Sequence, residues 1–335
     1  MSEILITTSR GPLTDLCYFG NVAVCDHTGK LLYYAGDPAI EAFARSSAKP
    51  MQAFSVFESG AVSRFNLSDD EVSLICASHN GEDMHINAVR AVLGKAGVPE
   101  SALLCGAHYP GYRPASDALI REGKQPSPVH NNCSGKHAGM LITAVSYGED
   151  YSDYPNKNHP VQRRILQNMG SICEYPADKI ITGIDGCGVP TLAVPLQKFA
   201  HGTARMAKPE TLGDKSYIAE RIAAAMNAHP EMMSGTGRSC AKIMRAADGK
   251  LFMKSGADGY YMCGVRGEGI GIAIKMINDA SNVSAMALIE TLRQLGVLTD
   301  RQLSRLTPAF YNIENKNVRG ETVGTVRPAF TLKKA

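Results

Sequence analysis

The sequence predicts an α/β (α+β) fold in which strands near both ends of the chain flank a helical middle. Residues 21–26 and 31–34 are apolar segments joined by His27-Thr28-Gly29-Lys30, a pattern typical of a strand hairpin. Three later apolar segments predict a return to strands: 250–253, 260–265 and 269–277. No linker-like stretch divides the chain cleanly, so we expect one catalytic unit over residues 1–335, with room for two intertwined subdomains.

The first helix is predicted over residues 51–61, where Phe54 and Phe57 lie on one face at helical spacing. Pro50 suits the start of this helix, because its missing N–H costs nothing there. Proline also pushes the preceding residue, Lys49, toward extended backbone. We therefore expect a tight turn ahead of the helix.

The middle of the chain combines one predicted strand with several helices. Residues 72–77 form a short apolar segment that predicts a strand ending at Ser78-His79-Asn80. The segment 104–132 is rich in proline and predicts loops, and residues 180–184 predict another strand. Four amphipathic segments predict helices: 85–96, 136–147, 161–169 and 217–228.

The composition is that of an ordinary globular protein, with 335 residues, 44% hydrophobic and 20% charged. A net charge of +3 without a block of Lys or Arg argues against a nucleic-acid partner. No apolar run reaches membrane length, and residues 1–12 lack a signal-peptide pattern, so we expect a cytoplasmic protein with no membrane partner. Nine cysteines in this setting predict buried thiols and not a disulfide framework.

Three short motifs carry the predicted chemistry: Ser46-Ser47-Ala48-Lys49, Ser78-His79-Asn80 and Lys254-Ser255-Gly256. Their order matches the S-x-x-K, S-D-N, K-T-G set of serine enzymes that acylate themselves with an amide. A serine hydroxyl needs a neighbouring base, and a lysine serves as that base where burial or another cation lowers its pKa. Each motif alone is common, so a Ser/Lys surface turn with two unrelated loops is the alternative.

Three glycine-rich segments, at 131–139, 185–190 and 233–238, predict a pocket walled by loops. The first contains Gly135-Lys136, but it lacks the G-x-x-x-x-G-K-[ST] pattern of a phosphate loop. The loop thiols of Cys133 and Cys187 suggest a zinc site, since His130 and His137 also lie close to Cys133 in sequence. Because no C-x-x-C pair is present, spacing alone favours buried thiols over metal ligands.

Five longer motifs together resemble the asparaginase II family, the rhizobial-type or class 3 L-asparaginases. They are RSSAKP at 45–50, ASHNGE at 77–82, HNNCSGKH at 130–137, DGCGVP at 185–190 and KSGADG at 254–259. The resemblance continues to residues 324–328 and covers nearly the whole chain. It implies a serine β-lactamase/glutaminase-like fold, an antiparallel sheet with surrounding helices, and a homodimer.

The resemblance also implies roles for individual residues. The nucleophile falls on Ser46 with Lys49 as its base, and a second catalytic pair falls on Ser78 and Lys254. On the residues alone, Ser47 is a rival nucleophile.

A zinc site that aids substrate binding falls on Cys133, Lys136 and Cys187, where the lysine must be neutral to coordinate the metal. A serine nucleophile removes the need for a metal-activated hydroxide, so zinc is not expected to be the primary catalyst. The remaining site positions are substrate-binding candidates: Arg45, Asn80, His137, Asp185 and Cys240. For Arg45 and Asp185, a surface charge and a turn acid are the alternatives.

These implications predict an L-asparagine amidohydrolase that releases L-aspartate and ammonia through a Ser–Lys acyl-enzyme. Glutaminase is the closest alternative, because one methylene discriminates substrates by only about 1–3 kcal/mol. A β-lactamase-like serine hydrolase is the other alternative, since it uses the same three motifs.

Overall fold

The computed structural model describes residues 1–280 and 283–335, which form two compact units. Unit 1 consists of Met1–Ser47, Val194–Thr211 and Lys242–Ala335. Unit 2 consists of Ala48–Ala193 and Leu212–Ala241. Each unit is therefore assembled from separate stretches of the chain.

The strands are β1 (Glu3–Arg10), β2 (Leu13–Asp26), β3 (Leu31–Ala35), β4 (Glu41–Phe43), β5 (Ile181–Ile184), β6 (Pro190–Pro195), β7 (Leu251–Gly256), β8 (Tyr260–Val265), β9 (Ile270–Met276), β10 (Ile313–Lys316), β11 (Thr322–Pro328) and β12 (Lys333–Lys334). The α-helices are α1 (Lys49–Gln52), α2 (Phe54–Glu58), α3 (Ala61–Arg64), α4 (Asp69–Ile75), α5 (Asp83–Lys95), α6 (Arg113–Arg121), α7 (Ser134–Tyr147), α8 (Pro160–Cys173), α9 (Leu196–Ala207), α10 (Ser216–Ala228), α11 (Pro230–Ser234), α12 (Ser239–Ala246), α13 (Val283–Gln294) and α14 (Asp300–Ser304).

Unit 1 is built on an antiparallel nine-stranded sheet with the order β10-β11-β1-β2-β9-β8-β7. Strand β3 also pairs with β2, and β12 pairs with β3. In β2, Val22 stands opposite both Ala35 of β3 and Ile274 of β9. The apolar second half of β2 is completely buried at Val22, Ala23 and Val24, as expected for a strand covered on both faces.

Helices α9 and α13 pack against this sheet. A Cβ atom at Gly271 of β9 would lie 2.1 Å from the backbone oxygen of Ala200 in α9, so only glycine permits this close approach. The rings of Phe199 in α9 and Tyr260 in β8 meet edge to face, with centroids 5.3 Å apart. These contacts place the core of unit 1 between the sheet and its helices.

Unit 2 is mainly helical, with the hairpin of β5 and β6 as its strand component. Helix α7 is buried along most of its length, and it packs against α2, α4, α5 and α8. A Cβ atom at Gly135 of α7 would lie 2.4 Å from the backbone oxygen of Leu74 in α4. The close contact of these two helices fixes the start of α7 beside the end of α4.

The observed sheet with surrounding helices confirms the predicted fold class. The predicted strands at 21–26, 31–34, 180–184, 250–253, 260–265 and 269–277 correspond to the later part of β2 and to β3, β5, β7, β8 and β9. The predicted helices at 85–96, 136–147, 161–169 and 217–228 correspond to α5, α7, α8 and α10. The region 104–132 is loop-rich as predicted, apart from α6 and a short 3₁₀ turn, Pro128–His130.

Two local predictions are wrong. Residues 72–77 do not form a strand, because α4 occupies Asp69–Ile75 and begins with a capping box between Ser68 and Glu71. The helix predicted over 51–61 is divided into α1, α2 and the start of α3.

The surroundings of Pro50 were predicted in part. A 3₁₀ turn, Arg45–Ala48, precedes α1, which confirms the expected tight turn. However, Lys49 is the first residue of α1 and not an extended residue. Pro50 is tolerated at the next position because the first helical turn has no intrahelical N–H bonds to lose.

All nine cysteines lie in the described part of the chain and are free thiols, and all except the half-buried Cys17 are buried. Within residues 1–280 and 283–335, every helix is too short or too polar to span a bilayer.

Candidate active site

The 3₁₀ turn Arg45–Ala48 presents its two serines differently. Ser47 is completely buried, and its hydroxyl donates a hydrogen bond to the backbone oxygen of Lys254 at 3.1 Å. Ser46 is half-buried, and its side chain makes no hydrogen bond within the described residues. The hydroxyl of Ser46 is therefore available for chemistry, whereas that of Ser47 holds the turn to β7.

Backbone strain marks the start of the same turn. Arg45 has a φ of 50°, in the left-handed region that non-glycine residues seldom adopt. Its guanidinium forms an ion pair with the carboxylate of Asp258, which itself has a φ of 57°. If Arg45 binds the substrate as predicted, its guanidinium would contact both the substrate and Asp258.

Lys49 lies at the centre of a buried polar cluster in unit 2. Its side chain is about 1% exposed, and Nζ donates to the backbone oxygen of Ala77. It also donates to Ser78 Oγ at 2.9 Å and to Cys133 Sγ at 3.2 Å. An ammonium group has three N–H donors, so these contacts use its full capacity.

Backbone hydrogen bonds hold the segment that carries Ser78. The N–H of Ser78 donates to the oxygen of Met233, and the N–H of His79 donates to the oxygen of Asn132. Cys133 follows directly and is the N-cap of α7. Three chain segments that lie far apart in sequence thus bring the amine, the hydroxyl and the thiol together.

Cys133, Lys136 and Cys187 form the second half of the cluster. Lys136 is about 3% exposed, and its Nζ donates to Cys187 Sγ at 3.1 Å. A hydrogen bond from Cys187 lowers the pKa of Cys133 well below that of an ordinary thiol, and the ammonium groups of Lys49 and Lys136 act in the same direction. The same hydrogen bond and burial raise the pKa of Cys187. These opposite shifts favour the thiolate form at Cys133 and the thiol form at Cys187.

The charge on Lys136 follows from these neighbours. Burial alone would lower the pKa of Lys136, but the two cysteines and Asp185 outweigh burial and raise it. In the absence of a metal, a buried ammonium thus faces a buried thiolate.

The donors fit a zinc ion in number and kind, since two sulfurs and one amine approach one another in a buried place. Zinc would bind only when both sulfurs are thiolates and the amine is neutral, so Cys187 and Lys136 would each have to release a proton. No cluster of three or more His, Cys, Asp or Glu side chains suited to a metal occurs in residues 1–280 and 283–335. The candidate site therefore depends on the lysine as its third ligand.

Buried histidines surround the cluster in their neutral form. His79 accepts a hydrogen bond from the N–H of Gly81 at Nδ1, which leaves its Nε2–H to donate to Ser134 Oγ at 2.8 Å. Its ring stacks on that of His85, with centroids 4.9 Å apart. Burial lowers the pKa of both histidines, so each is uncharged near neutral pH.

His137 is a second neutral histidine with a different hydrogen-bonding pattern. The hydroxyl of Tyr154 accepts from the N–H of Leu104 and forms a hydrogen bond of 2.6 Å with His137 Nδ1. Burial lowers the pKa of His137 well below its usual value. Its Nε2 is buried and has no hydrogen-bond partner among the described residues, so this ring nitrogen is left for a ligand.

The other predicted substrate-binding residues lie on loops or helix starts of unit 2. Asn80 is buried against Gly235, where a Cβ atom would lie 2.4 Å from the Asn80 amide nitrogen. Asp185 is half-buried in the turn before β6, and it accepts a hydrogen bond from the N–H of Gly186 at 2.8 Å. Cys240 is buried in α12.

The structure brings together five of the predicted residues within unit 2: Lys49, Ser78, Cys133, Lys136 and Cys187. Ser46 and Lys254 belong to unit 1, where Lys254 is completely buried and donates to the backbone oxygen of Ser255 at 2.7 Å. The catalytic pairs Ser46–Lys49 and Ser78–Lys254 stay predictions.

Sequence reasoning missed two features of this site. The contact of Lys49 with Cys133 joins the predicted catalytic residues to the predicted metal ligands, and a separation of 84 positions gives no local signal for it. Tyr154 was not singled out either, because it lies in a loop without a motif. Its complete burial beside His137 is visible only in the folded chain.

Comparison with known proteins gives one strong match. The L-asparaginase II family profile matches residues 6–328. No curated protein sequence matches the chain.

Several solved structures match the chain at low similarity. A crystal structure of Mglu has a TM-score of 0.38 and 14% identity, over 83% of this chain and 67% of that chain. Mglu in its tris and glutamate form has a TM-score of 0.39 and 13% identity, over 83% of this chain and 59% of that chain. A beta-lactamase candidate from Bacteroides dorei has a TM-score of 0.43 and 13% identity, over 78% of this chain and 86% of that chain. The chain thus spans two thirds or less of the Mglu chains, and these likenesses carry no argument below.

Proposed function

Because the chain belongs to the L-asparaginase II family, an amidohydrolase family, we propose that it hydrolyses L-asparagine to L-aspartate and ammonia. The observation that supports a Ser–Lys mechanism most directly is the hydrogen bond of 2.9 Å between Lys49 Nζ and Ser78 Oγ. We take residues 1–335 as one catalytic unit in this proposal.

The proposed reaction begins at Ser46. The Lys49 ammonium must first lose one of its three protons. The neutral amine then takes the hydroxyl proton, and Ser46 Oγ attacks the side-chain amide carbon of the substrate. A tetrahedral oxyanion forms, and each backbone N–H aimed at it stabilises the transition state by roughly 3–4 kcal/mol. Ammonia leaves with a proton, and water then cleaves the acyl-enzyme to release aspartate.

Ser78 is proposed to relay the proton to the leaving ammonia. Its hydroxyl accepts a hydrogen bond from Lys49 Nζ, so a proton held by that amine has a direct route to Ser78. Lys254 is proposed as the second lysine that serves Ser78.

The surroundings of the two serines support Ser46 as the nucleophile. Ser47 is buried and already donates to the backbone oxygen of Lys254, so an attack by Ser47 would first break this bond. Ser46 is only half-buried and makes no side-chain hydrogen bond within the described residues, so its attack would break no such bond.

Zinc is proposed to bind Cys133, Lys136 and Cys187 and to aid substrate binding. When bound, zinc would supply Lewis-acid attraction for an oxygen of the substrate. Lys49 donates a hydrogen bond to Cys133, so metal binding to this sulfur would alter the hydrogen bond of Lys49. The hydrolysis itself is assigned to the serine and lysine residues.

Substrate recognition is proposed to involve Arg45, Asn80, His137, Asp185 and Cys240. His137 supports this proposal best, because the Nε2 atom of its neutral ring is buried without a protein partner in the described residues. Asp185 supplies a carboxylate for an α-ammonium group, and Arg45 a guanidinium for an α-carboxylate. We further propose a cytoplasmic homodimer without a nucleic-acid or membrane partner.

A coupled ammonia assay with asparagine and glutamine, with and without added zinc, tests the proposed function. We expect ammonia release from asparagine in preference to glutamine. Lys49→Met should abolish turnover, whereas the exposed control Lys157→Met should not change it. Absence of ammonia release from asparagine would overturn the substrate assignment. Full activity of Lys49→Met would instead overturn the Ser–Lys mechanism alone.

A further inference from the structure

Gln52, the last residue of α1, carries an unsatisfied buried acceptor. Its side chain is about 7% exposed, and Oε1 has no hydrogen-bond partner among the described residues. A buried amide oxygen without a donor costs about 1–3 kcal/mol, so native proteins rarely leave one unpaired. We therefore expect this oxygen to accept a hydrogen bond from a donor that is not part of the protein.

A small cavity lies beside Gln52 in unit 2. The centre of a water molecule has about 10 Å³ of space there, which is about the minimum for one bound water. Its polar wall is formed by Lys49, Gln52, Ser55 and Lys136, and apolar residues complete it. The cavity is thus both small enough and polar enough for a single solvent molecule.

The two lysines differ in what they offer to this cavity. Lys49 gives its three N–H groups to Ala77, Ser78 and Cys133. Lys136 has one hydrogen bond from Nζ, to Cys187, and its side chain is about 3% exposed. As an ammonium, Lys136 therefore has two further donors in a buried place.

Ser55 offers a second acceptor. Its hydroxyl hydrogen goes to the backbone oxygen of Gln52 at 2.8 Å, so the lone pairs of Oγ are left for another donor. Around the cavity there are thus two spare donors, on Lys136, and two acceptors, on Gln52 and Ser55.

We propose that this cavity binds one water molecule, which accepts a hydrogen bond from Lys136 Nζ and donates to Gln52 Oε1 and Ser55 Oγ. Three hydrogen bonds are typical of a buried water. A cation is disfavoured because two lysines line the cavity. Through this water, Gln52 acts as a positioning residue for the amine of Lys136.

The water site does not depend on the proposed function. A lysine amine that coordinates a metal keeps two N–H groups, so the same water fits Lys136 with or without zinc. The inference rests on the unpartnered oxygen, the spare donors and the size of the cavity.

A crystal structure of the unmodified protein at a resolution that shows ordered waters is the first test. We expect one water at about 2.7–3.2 Å from both Gln52 Oε1 and Lys136 Nζ. An empty cavity, or a protein donor on Gln52 Oε1, would overturn the proposal.

Variants then test the assignment of the partners. Gln52→Met keeps the length of the side chain but removes the acceptor, so the water should be lost and the side chain of Lys136 should move. Gln52→Glu keeps an acceptor and should retain both the water and the position of Lys136. Gln302→Met is the control, because Gln302 is buried in unit 1, does not line the cavity and donates to the carboxylate of Asp248. A water that persists unchanged in Gln52→Met contradicts the role of Gln52. If this variant does not fold, the wild-type and Gln52→Glu structures decide the question.

Discussion

At the scale of single residues, adjacent side chains of identical type have different environments. Ser47 is buried and hydrogen-bonded to the backbone of β7, whereas Ser46 is half-buried and makes no hydrogen bond within the described residues. A nucleophile must reach the substrate and give up its proton, and both requirements favour Ser46.

Ser46→Ala should lower turnover by roughly 10⁴-fold or more, as expected when a covalent nucleophile is removed. Ser47→Ala should retain most of the activity but lose about 1 kcal/mol of stability, because the carbonyl of Lys254 loses its buried donor. Ammonia release and urea denaturation measure the two effects. The reverse pattern, with Ser47→Ala inactive and Ser46→Ala active, would identify Ser47 as the nucleophile.

Cys133→Ala should raise KM more than it lowers kcat, because the thiolate is proposed to bind zinc and not to attack the substrate. Steady-state kinetics on asparagine at fixed zinc measure the two constants separately. Cys25→Ala is the control, since this buried thiol contacts the backbone of Gln197 in unit 1. Loss of kcat alone, with KM unchanged, would instead place Cys133 in the chemical step.

At the scale of elements, the site depends on how closely α7 approaches α4. Gly135 allows the contact, because any side chain there would meet the backbone oxygen of Leu74. Cys133 and Lys136 flank Gly135 in sequence, so the position of this helix start sets the position of both. The packing of α7 against α4 therefore positions the thiol of Cys133 and the amine of Lys136 in the candidate site.

Gly135→Ala should destabilise the protein by about 1–3 kcal/mol through overpacking and should reduce activity as well. The matched control is Gly94→Ala in α5, where a Cβ atom would meet nothing within 4 Å. Alanine there should be neutral or stabilising by up to about 1 kcal/mol, because glycine is a poor helix former. Urea midpoints of the two variants give the comparison. Equal stability of the two variants would show that α7 tolerates a shift from α4.

The elements also show what the sequence could and could not predict. The strands β8 and β9 and the helix α7 have clear periodicity, and each was predicted nearly to its bounds. The apolar run of residues 72–77 predicts a strand, but Ser68 and Glu71 form a capping box, which is typical of the start of a helix. The bond from Lys49 to Ser78 spans 29 positions, and no local pattern encodes a contact at that distance.

At the scale of the whole molecule, buried histidines link stability to pH. Burial lowers the pKa of His79, His85 and His137 below the usual 6.5. In the unfolded chain these groups titrate near 6.5, so below that pH the unfolded state binds protons that the folded state refuses. Stability should therefore be highest above pH 6.5 and should fall on acidification, by about 1 kcal/mol per pH unit for each such histidine.

His85→Gln should flatten this dependence. His85 occupies the third position of α5 and accepts from the N–H of Glu82, a role that glutamine fills without titrating. The free energy of unfolding measured between pH 5 and 7.5 should thus have a shallower slope in the variant. The exposed His229→Gln should leave the slope unchanged. An unchanged slope in His85→Gln would mean that His85 does not contribute.

The segmented build of unit 1 has a consequence for synthesis on the ribosome. Strand β1 pairs with β11, and β2 pairs with β9, so the central sheet joins early segments of the chain to segments translated much later. By the time residue 241 has been made, every segment of unit 2 exists, but β7 to β11 do not. All segments of the helical unit are therefore translated while β1 and β2 still lack β11 and β9. Any factor that shields nascent β1 and β2 would act during that interval.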